Sequence, residues 1–526
     1  MVKKPKSASP GMMEIFDLIE PLGSFTATVK RKKLAQHGLT LLQARDAYAA
    51  RADMIACLKK SGQHKWQDIF SHLTPFTITQ HQHVYALADL FEIKSFIYHY
   101  QSMRAYAMLH DLQHYPLPDL TPVFTLLDPE KSGLPVFRLS PLFSPELLRL
   151  DRERQRCNLK LQKVRLSLLE TAKEELGLPK LKESFCLSRD EQDLINKLSG
   201  STHFVLSAQS VANLSYSLAD SAESNAIKAE IAKLNDLIEC EEEQIRGELS
   251  RELHQHRKLI NMAVDTCSEL AWDYMLADFT LKYGCCIPTL CESGDGIVIS
   301  SARNLPLELS LQKQKRAYQS LDISLDHPIN LITGPNMGGK SSLLRCVAQF
   351  AELARRAIPV PAQSAVMPIF DYVYCNYEQE DDNLSSFGKE VVAFSNALGQ
   401  KGKGLFLLDE FARGTNPYEG EALATAVLDY LRTTPHFCLA ATHYTKPAHL
   451  SGIKHYRIKG VDHFMGETNN LGFLLEDRLK ALAAAMDYSL VEADPGSNPP
   501  LEAIRIAETL GLPAEIVEKA KEIKDE

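Results

Sequence analysis

The chain is short of several things, and each shortage excludes something. Its 526 residues contain no uninterrupted apolar run of the roughly 18 residues that a membrane-spanning helix needs. The start carries Lys3, Lys4 and Lys6 but no long apolar stretch, so it does not read as a secretory signal. Positive charge is in deficit. There are 58 Lys and Arg against 67 Asp and Glu, a net charge of −9. A surface that coats phosphates throughout is thereby excluded, and any nucleic-acid contact must use a local basic patch. Paired cysteines are missing too. The 11 Cys are odd in number, and the cluster Cys285, Cys286 and Cys291 lacks the second pair that a zinc site uses. Free thiols in a reducing compartment fit this pattern, so a cytoplasmic location with no membrane partner is expected. His81 with His83, and His254 with His256, lie two apart, on different faces of a helix, and do not form ligand pairs. Hydrophobic residues make up 45% and charged residues 24%, which rules out wholesale disorder. The length exceeds what one core supports and implies two to four domains.

Three regions follow from the texture. Residues 1–60 are locally basic, with Lys30, Arg31, Lys32 and Lys33 in one run; this fits a phosphate-contacting arm or a solvated face. Residues 61–287 read as helical. Val84, Leu87, Leu90, Phe91, Ile93 and Phe96 give a first apolar helix, with Pro116, Pro118 and Pro122 closing it. Residues 145–180 and 226–263 give two long charged helices, the second with Glu241, Glu242 and Glu243 as a solvated middle. They suggest an extended antiparallel arm, with a small tip near 200–225 that holds short strands at 203–206 and 214–217. An ordinary helical bundle is the plainer reading of the same periodicity. Residues 288–526 change to short apolar runs between helical segments, the α/β signature of a mostly parallel sheet.

The strongest chemical signal is the apolar run Ile329–Ile332 followed by Gly334, Pro335, Asn336, Met337, Gly338, Gly339, Lys340, Ser341 and Ser342. Glycines let such a loop curl so that its N–H groups face a phosphate, and the following helix adds its N-terminal dipole. Lys340 would reach the β- and γ-phosphates of ATP, and the Ser341 hydroxyl would ligate Mg²⁺. A second apolar run, Leu405–Leu408, ends in Asp409 and Glu410. Asp409 suits a Mg²⁺ contact beside the phosphate loop, and Glu410 is placed to polarise an attacking water. A third run ends in Thr442 and His443, where an imidazole can sense the γ-phosphate or the water.

The strings TGPNMGGKSS (333–342), LLDEFARGTNPYEG (407–420) and ATHY (441–444) resemble, in that order and spacing, the ATPase domain of the MutS family. Residues 382–390 resemble its Ser-Thr-Phe signature segment, and residues 507–513 resemble the segment that closes the domain. The detailed likeness covers roughly the last 240 residues; the helices before it resemble the family's lever-and-clamp region more loosely. The resemblance implies an α/β P-loop domain of ABC type preceded by an all-α lever and clamp. It also implies a homodimer through the ATPase heads, with ATP and Mg²⁺ held between them. Ser385 would then act in trans on the γ-phosphate, and Tyr318 would lie against the adenine.

Two departures stand out. Where the family reads Asp-Glu-x-Gly-Arg-Gly-Thr-Ser, this chain has Ala412 and Asn416 in place of the first Gly and the Ser, which puts the coupling between the two sites in question. No Phe-x-Glu wedge of the mismatch-reading members is found at the start; Phe91-Glu92-Ile93 reads as core. Nor is a nuclease-like segment expected after the closing Gly511-Leu512-Pro513. The first functional reading is an ATP-driven clamp on DNA, directed to branched or bent forms rather than mismatches. The second is an ATP-driven protein remodeller, similar to the MutS-like reactivases of a cobalamin-dependent lysine 5,6-aminomutase. Residues 199–226 contain no Lys or Arg but do contain Asp220 and Glu223, which argues against phosphate contacts there. The third reading is a nucleotide-binding scaffold with slow turnover.

Overall fold

A computed structural model describes residues 11–36, 38–74, 76, 78, 84–292, 296–334, 339–376, 386–460, 487–494, 504, 507–508 and 512–525. In chain order it begins with α1 (Met12–Asp17), α2 (Ser24–Ala35), α3 (Leu41–Ser61) and α4 (His64–Ser71). Then come α5 (Leu87–Leu109), α6 (Thr121–Leu127) and the long α7 (Pro145–Leu176). A short insert, β1 (Ser184–Ser188), α8 (Gln192–Ser199), β2 (Phe204–Gln209) and β3 (Asn213–Leu218), precedes α9 (Ala222–Gln255) and α10 (Arg257–Tyr283). The α/β region opens with β4 (Thr289–Cys291), β5 (Ile297–Ala302), α11 (Leu305–Lys313), β6 (Leu321–Leu325), β7 (Ile329–Thr333) and α12 (Lys340–Ala354). It continues with β8 (Ser364–Pro368), β9 (Tyr372–Cys375), α13 (Ser386–Leu398), β10 (Gly404–Asp409), α14 (Pro417–Leu431) and β11 (Phe437–Ala441). The last described elements are β12 (Lys454–Gly460), β13 (Asp487–Glu492) and α15 (Ala514–Asp525). No described helix is long and apolar enough to cross a membrane.

The chain divides into two compact units. One comprises Met1–Ser71, Ala107–Tyr115 and Ser268–Glu526; the other comprises His72–Tyr106 and Pro116–Cys267. The first unit is built on a six-stranded sheet in the order β13-β12-β7-β11-β10-β9. The strands from β12 to β9 run parallel, and β13 pairs antiparallel at the edge. Every residue of β7 and β11 is buried, as are the first five of β10. This explains why these strands read as continuous apolar runs: helices cover both faces of a parallel sheet. Phe406 lies within a ring cluster of Tyr372, Tyr374 and Phe394, and Phe394 in turn meets Phe411. A second sheet, β4-β8-β5-β6, is mixed.

The N-terminal helices belong to this same unit. Thr40 and Gln43 form a reciprocal capping box that starts α3. The buried Tyr48 then donates to the Ile358 carbonyl at 2.9 Å, and Arg51 donates to the Ala357 carbonyl, just past α12. Arg51 Nε also lies 3.0 Å from the buried Asp273 carboxylate of α10, which accepts from Tyr115 Oη at 2.6 Å. Removing one member of such a buried pair typically costs about 3–5 kcal/mol, so these helices brace the far end of the phosphate-loop helix. The basic run on α2 is divided by helical geometry. Arg31 and Lys32 are exposed, whereas Lys33 pairs with Glu269 at 2.5 Å and Lys30 is partly buried near Asp17 and Glu20.

In the second unit, Ser144 caps α7 through the Glu146 and Leu147 amides, with Pro145 at the first helical position. α7 and α9 run antiparallel: Ser144 Oγ donates to Glu241 at 2.5 Å, and Arg165 pairs with Asp220 near the other end. Glu241 is therefore a cap partner, not merely part of a solvated middle. At about 1.5 Å per residue each helix is roughly 50 Å long. Between them lies the antiparallel sheet β1-β3-β2, closed on a small core of Leu169, Ala172, Leu198, Phe204, Tyr216 and Leu218. α9 stops at Gln255, shorter than the expected 226–263, because His256 leaves helical geometry before α10 starts. On α5, Ile93 and Phe96 are core but Phe91 is 44% exposed, which corrects its reading as core.

Candidate functional site

Because β7, β11 and β10 are parallel neighbours, their carboxyl ends lie side by side on one edge of the sheet. β7 feeds the phosphate loop. Gly334 and Gly339 have φ of 146° and 81°, and a Cβ on Gly339 would lie 2.8 Å from a ring carbon of Tyr488. The loop therefore needs glycine there for both its φ and its contact. Pro335, Asn336, Met337 and Gly338 lie outside the described residues. Lys340 is buried, and its Nζ donates to the Gly334 carbonyl at 2.7 Å, across the mouth of the loop. Ser341 and Ser342 open α12 with exposed side chains.

β10 delivers Asp409 and Glu410 beside this loop. Glu410 has a left-handed φ of 49°, and its amide donates to the Ala441 carbonyl at 2.8 Å. That turn aims its carboxylate toward the end of β11. There His443 Nδ1 stands 3.9 Å from Glu410 Oε1, while Arg413 donates to Glu410 Oε2 at 2.7 Å. Arg413 is largely exposed, so this pair contributes little and can exchange. The Thr442 amide donates to the Ile332 carbonyl at 3.1 Å and ties the end of β11 to β7. The structure thus brings Lys340, Asp409, Glu410 and His443 onto one edge.

Four residues that sequence reasoning did not single out shape the edge. Asn376, just after β9, accepts from the Asp409 amide at 2.7 Å and donates to the Asp409 carbonyl at 3.0 Å. Its amide extends the parallel ladder beyond Cys375. Glu390 of α13, barely exposed, accepts from Asn376 Nδ2 at 2.6 Å and from the Ala412 amide at 3.0 Å. Burial pushes the Glu390 carboxyl above its usual value, and the two donors oppose that shift. Tyr488 closes over Gly339. The buried His455 shares a 2.8 Å hydrogen bond with Thr333, and burial lowers its pKa and keeps the ring neutral. Asn376, Tyr488 and His455 come from regions with no motif. Glu390 closes the segment 382–390, which stood out for its likeness to the signature segment and not for this residue.

Tyr318 is half-buried and its hydroxyl accepts from the Asn304 amide at the start of α11. Burial, with Cys346 of α12 nearby, pushes its phenol up to about 12. Ser385 lies outside the described residues. The two departures now have physical readings. Ala412 is fully buried with a φ of 64°, where glycine is preferred and an alanine costs about 1 kcal/mol. Asn416 caps α14 by accepting from the Tyr418 amide at 3.0 Å, which a serine does equally well. Among the described residues no group of His, Cys, Asp and Glu forms a protein-only metal cage.

At the end of the helical pair, β2 is an edge strand with five of its six residues exposed. Val205, Leu206 and Val211 project there, Val211 at 97% exposure. Asp220, just after β3, is paired with Arg165 and Lys228.

Comparison with known proteins adds to this geometry. Residues 330–526 match the family described as MutS domain V. A protein named DNA mismatch repair protein MutS from Thermus thermophilus is 29% identical over 296 residues, covering 56% of this chain and 33% of the relative. A protein of the same name from Listeria monocytogenes is 29% identical over 294 residues, covering 54% and 32%. A protein named Endonuclease MutS2 from Caldanaerobacter subterraneus is 27% identical over 472 residues, covering 87% of this chain and 56% of the relative. The chain therefore spans about a third of the MutS relatives and about half of the MutS2 relative. The phosphate loop, the acidic strand end and the histidine strand end all lie in or at the edge of the matched region, so over residues 330–526 this chain is similar to MutS domain V.

Proposed function

We propose that this chain is an ATP hydrolase that works as a homodimer through its α/β heads and acts on DNA through its long helical pair. The observation that carries the hydrolase is the placement of Lys340, Asp409, Glu410 and His443 at the carboxyl ends of three adjacent parallel strands. Ligands of open α/β sheets bind at such ends. The residues fit ATP with Mg²⁺. The ammonium of Lys340 is held on the Gly334 carbonyl, where the glycine-rich segment begins, and Ser341 and Asp409 offer the hard oxygen donors that Mg²⁺ takes. When bound, Mg²⁺ supplies neutralisation of phosphate charge. Lys340 transfers its hydrogen bond from Gly334 to a phosphate oxygen. Glu410 orients and polarises the attacking water, and His443 holds the far side of that water. Ser385 acts in trans on the other head's nucleotide, and Tyr318 lies against the adenine.

DNA as the target is supported by the names of the relatives. Branched or bent forms, rather than mismatches, are the proposed DNA targets. A second reading, an ATP-driven remodeller of a protein partner such as a cobalamin-dependent aminomutase, is favoured by one specific observation. Residues 199–226 offer no Lys or Arg, while Val205, Leu206 and Val211 are exposed beside a free strand edge. Such an edge accepts a polypeptide more readily than a phosphate backbone.

The test is steady-state ATPase activity with homoduplex, mismatched and four-way-junction DNA at two salt concentrations. Stimulation by junction DNA that falls steeply with salt is expected. Turnover indifferent to every DNA form moves the assignment to the protein partner. Nucleotide binding without turnover leaves the slow scaffold.

A further inference from the structure

We infer that Glu390 is a positioning residue of the hydrolytic site, clamping the end of β10 and the loop after it so that Glu410 is held at the working angle. The inference rests on the ATPase reading above. Glu390 is the centre of a closed hydrogen-bond chain. One carboxylate oxygen accepts from Asn376 Nδ2 at 2.6 Å and the other from the Ala412 amide at 3.0 Å. Asn376 in turn exchanges two hydrogen bonds with the backbone of Asp409, at 2.7 and 3.0 Å. The residues held on either side are Asp409 and Ala412, and Glu410 lies between them.

That intervening backbone needs holding. Glu410 and Ala412 both have left-handed φ, at 49° and 64°, a region that residues with a Cβ leave when nothing restrains them. Ala412 is fully buried, so without Glu390 its amide would have no acceptor there, at the cost of a buried unsatisfied donor. The geometry also accounts for a carboxylate rather than an amide. Glu390 faces two donors, Asn376 Nδ2 and Ala412 N–H. A carboxylate presents two acceptor oxygens, whereas a glutamine presents one oxygen and one NH₂ group that must oppose a donor. Among the described residues, the side-chain hydrogen-bond partners of Glu390 are Asn376, just after β9, and the Ala412 amide, in the loop after β10, so its effect is expected on the hydrolytic side of the site.

The experiment is a comparison of wild type, Glu390→Gln and Asn376→Ala by steady-state ATPase kinetics, equilibrium binding of a non-hydrolysable ATP analogue, and thermal unfolding. Both variants are expected to lose about tenfold or more in kcat, with analogue affinity within about twofold of wild type and a retained cooperative unfolding transition. The double variant is expected to be no slower than the worse single, because both break one chain. Wild-type kcat in Glu390→Gln overturns the role while leaving the ATPase reading intact. Loss of analogue binding and turnover together, in both variants, shows a general structural role and also overturns it. Absence of turnover in the wild type, with analogue bound, overturns the ATPase reading and this role with it. If Glu390→Gln does not fold, Asn376→Ala carries the same kcat-against-affinity comparison.

Discussion

Lys340 opens α12 after the phosphate loop and Glu410 follows β10; in the proposed hydrolase they serve different steps, so their substitutions should separate binding from turnover. Lys340→Ala removes the buried ammonium that bridges the loop to Gly334. Affinity for a fluorescent ATP analogue is expected to fall at least tenfold; unchanged affinity would remove the phosphate role. Glu410→Gln keeps the size of the side chain beside His443 and Arg413 but not its ability to polarise water. Analogue affinity should persist while single-turnover hydrolysis slows about 10²-fold or more, the range for loss of a general base. These residues were legible in the sequence because each follows an apolar run, Lys340 after a glycine-rich segment and Glu410 directly, and strand ends converge on one edge in a parallel sheet. Asn376 was not legible, because its partner Asp409 lies 33 positions away and the bond is made to backbone. Tyr488 was still less so: it reaches the phosphate loop only because the antiparallel edge strand β13 returns alongside β12.

At the scale of elements, α14 sets the back wall of the same loop. A Cβ on its Gly420 would lie 2.8 Å from the Ala412 carbonyl and 2.5 Å from Tyr444 Oη. Gly420→Ala gains helix propensity of about 1 kcal/mol, but the overpacking costs about 1–3 kcal/mol, and backbone is the atom that must give. The variant is therefore expected to be no more stable than wild type by chemical denaturation, and slower in turnover because the Ala412 loop is displaced. A stabilised variant with full activity would show that the loop tolerates movement. Helices and strands with strong periodicity were readable here. β7, β10 and β11 came within a residue or so of the expected runs, and both long helices were found. What periodicity missed depends on partners distant in sequence. The short β1 and α8 acquire their fold from the core around Phe204 and Tyr216. The basic run on α2 looked like one patch, yet a helix turns about 100° per residue and sends Lys33 to Glu269. Ala412 read as a departure, and only its left-handed φ shows what the departure costs.

The molecule as a whole has two units with unequal cores, and this should be visible in how it unfolds. α12, under the phosphate loop, buries 12 of its 15 residues, whereas α7 buries five of 32 and α9 eight of 34. Per residue, the unit built on the long helices removes far less apolar surface from water, so it has less to set against its conformational entropy. It is also an insertion in chain order, since the other unit is assembled from three separate segments. Two calorimetric transitions are therefore expected, the lower belonging to the helical unit. In the proposed hydrolase, nucleotide binds the unit that carries Lys340. A non-hydrolysable ATP analogue with Mg²⁺ at 100 times its Kd stabilises that unit by about 2.7 kcal/mol, or about 4 °C for a unit of this size. The lower transition should stay where it was. Hydrogen exchange assigns the transitions: protection on adding the analogue should rise in α12 and the loop around Glu410, and not in β2 and β3. One transition that moves as a whole would show that the two units share their stability, and protection that spreads to β2 and β3 would show that nucleotide alone, without a bound target, reaches the tip of the helical pair.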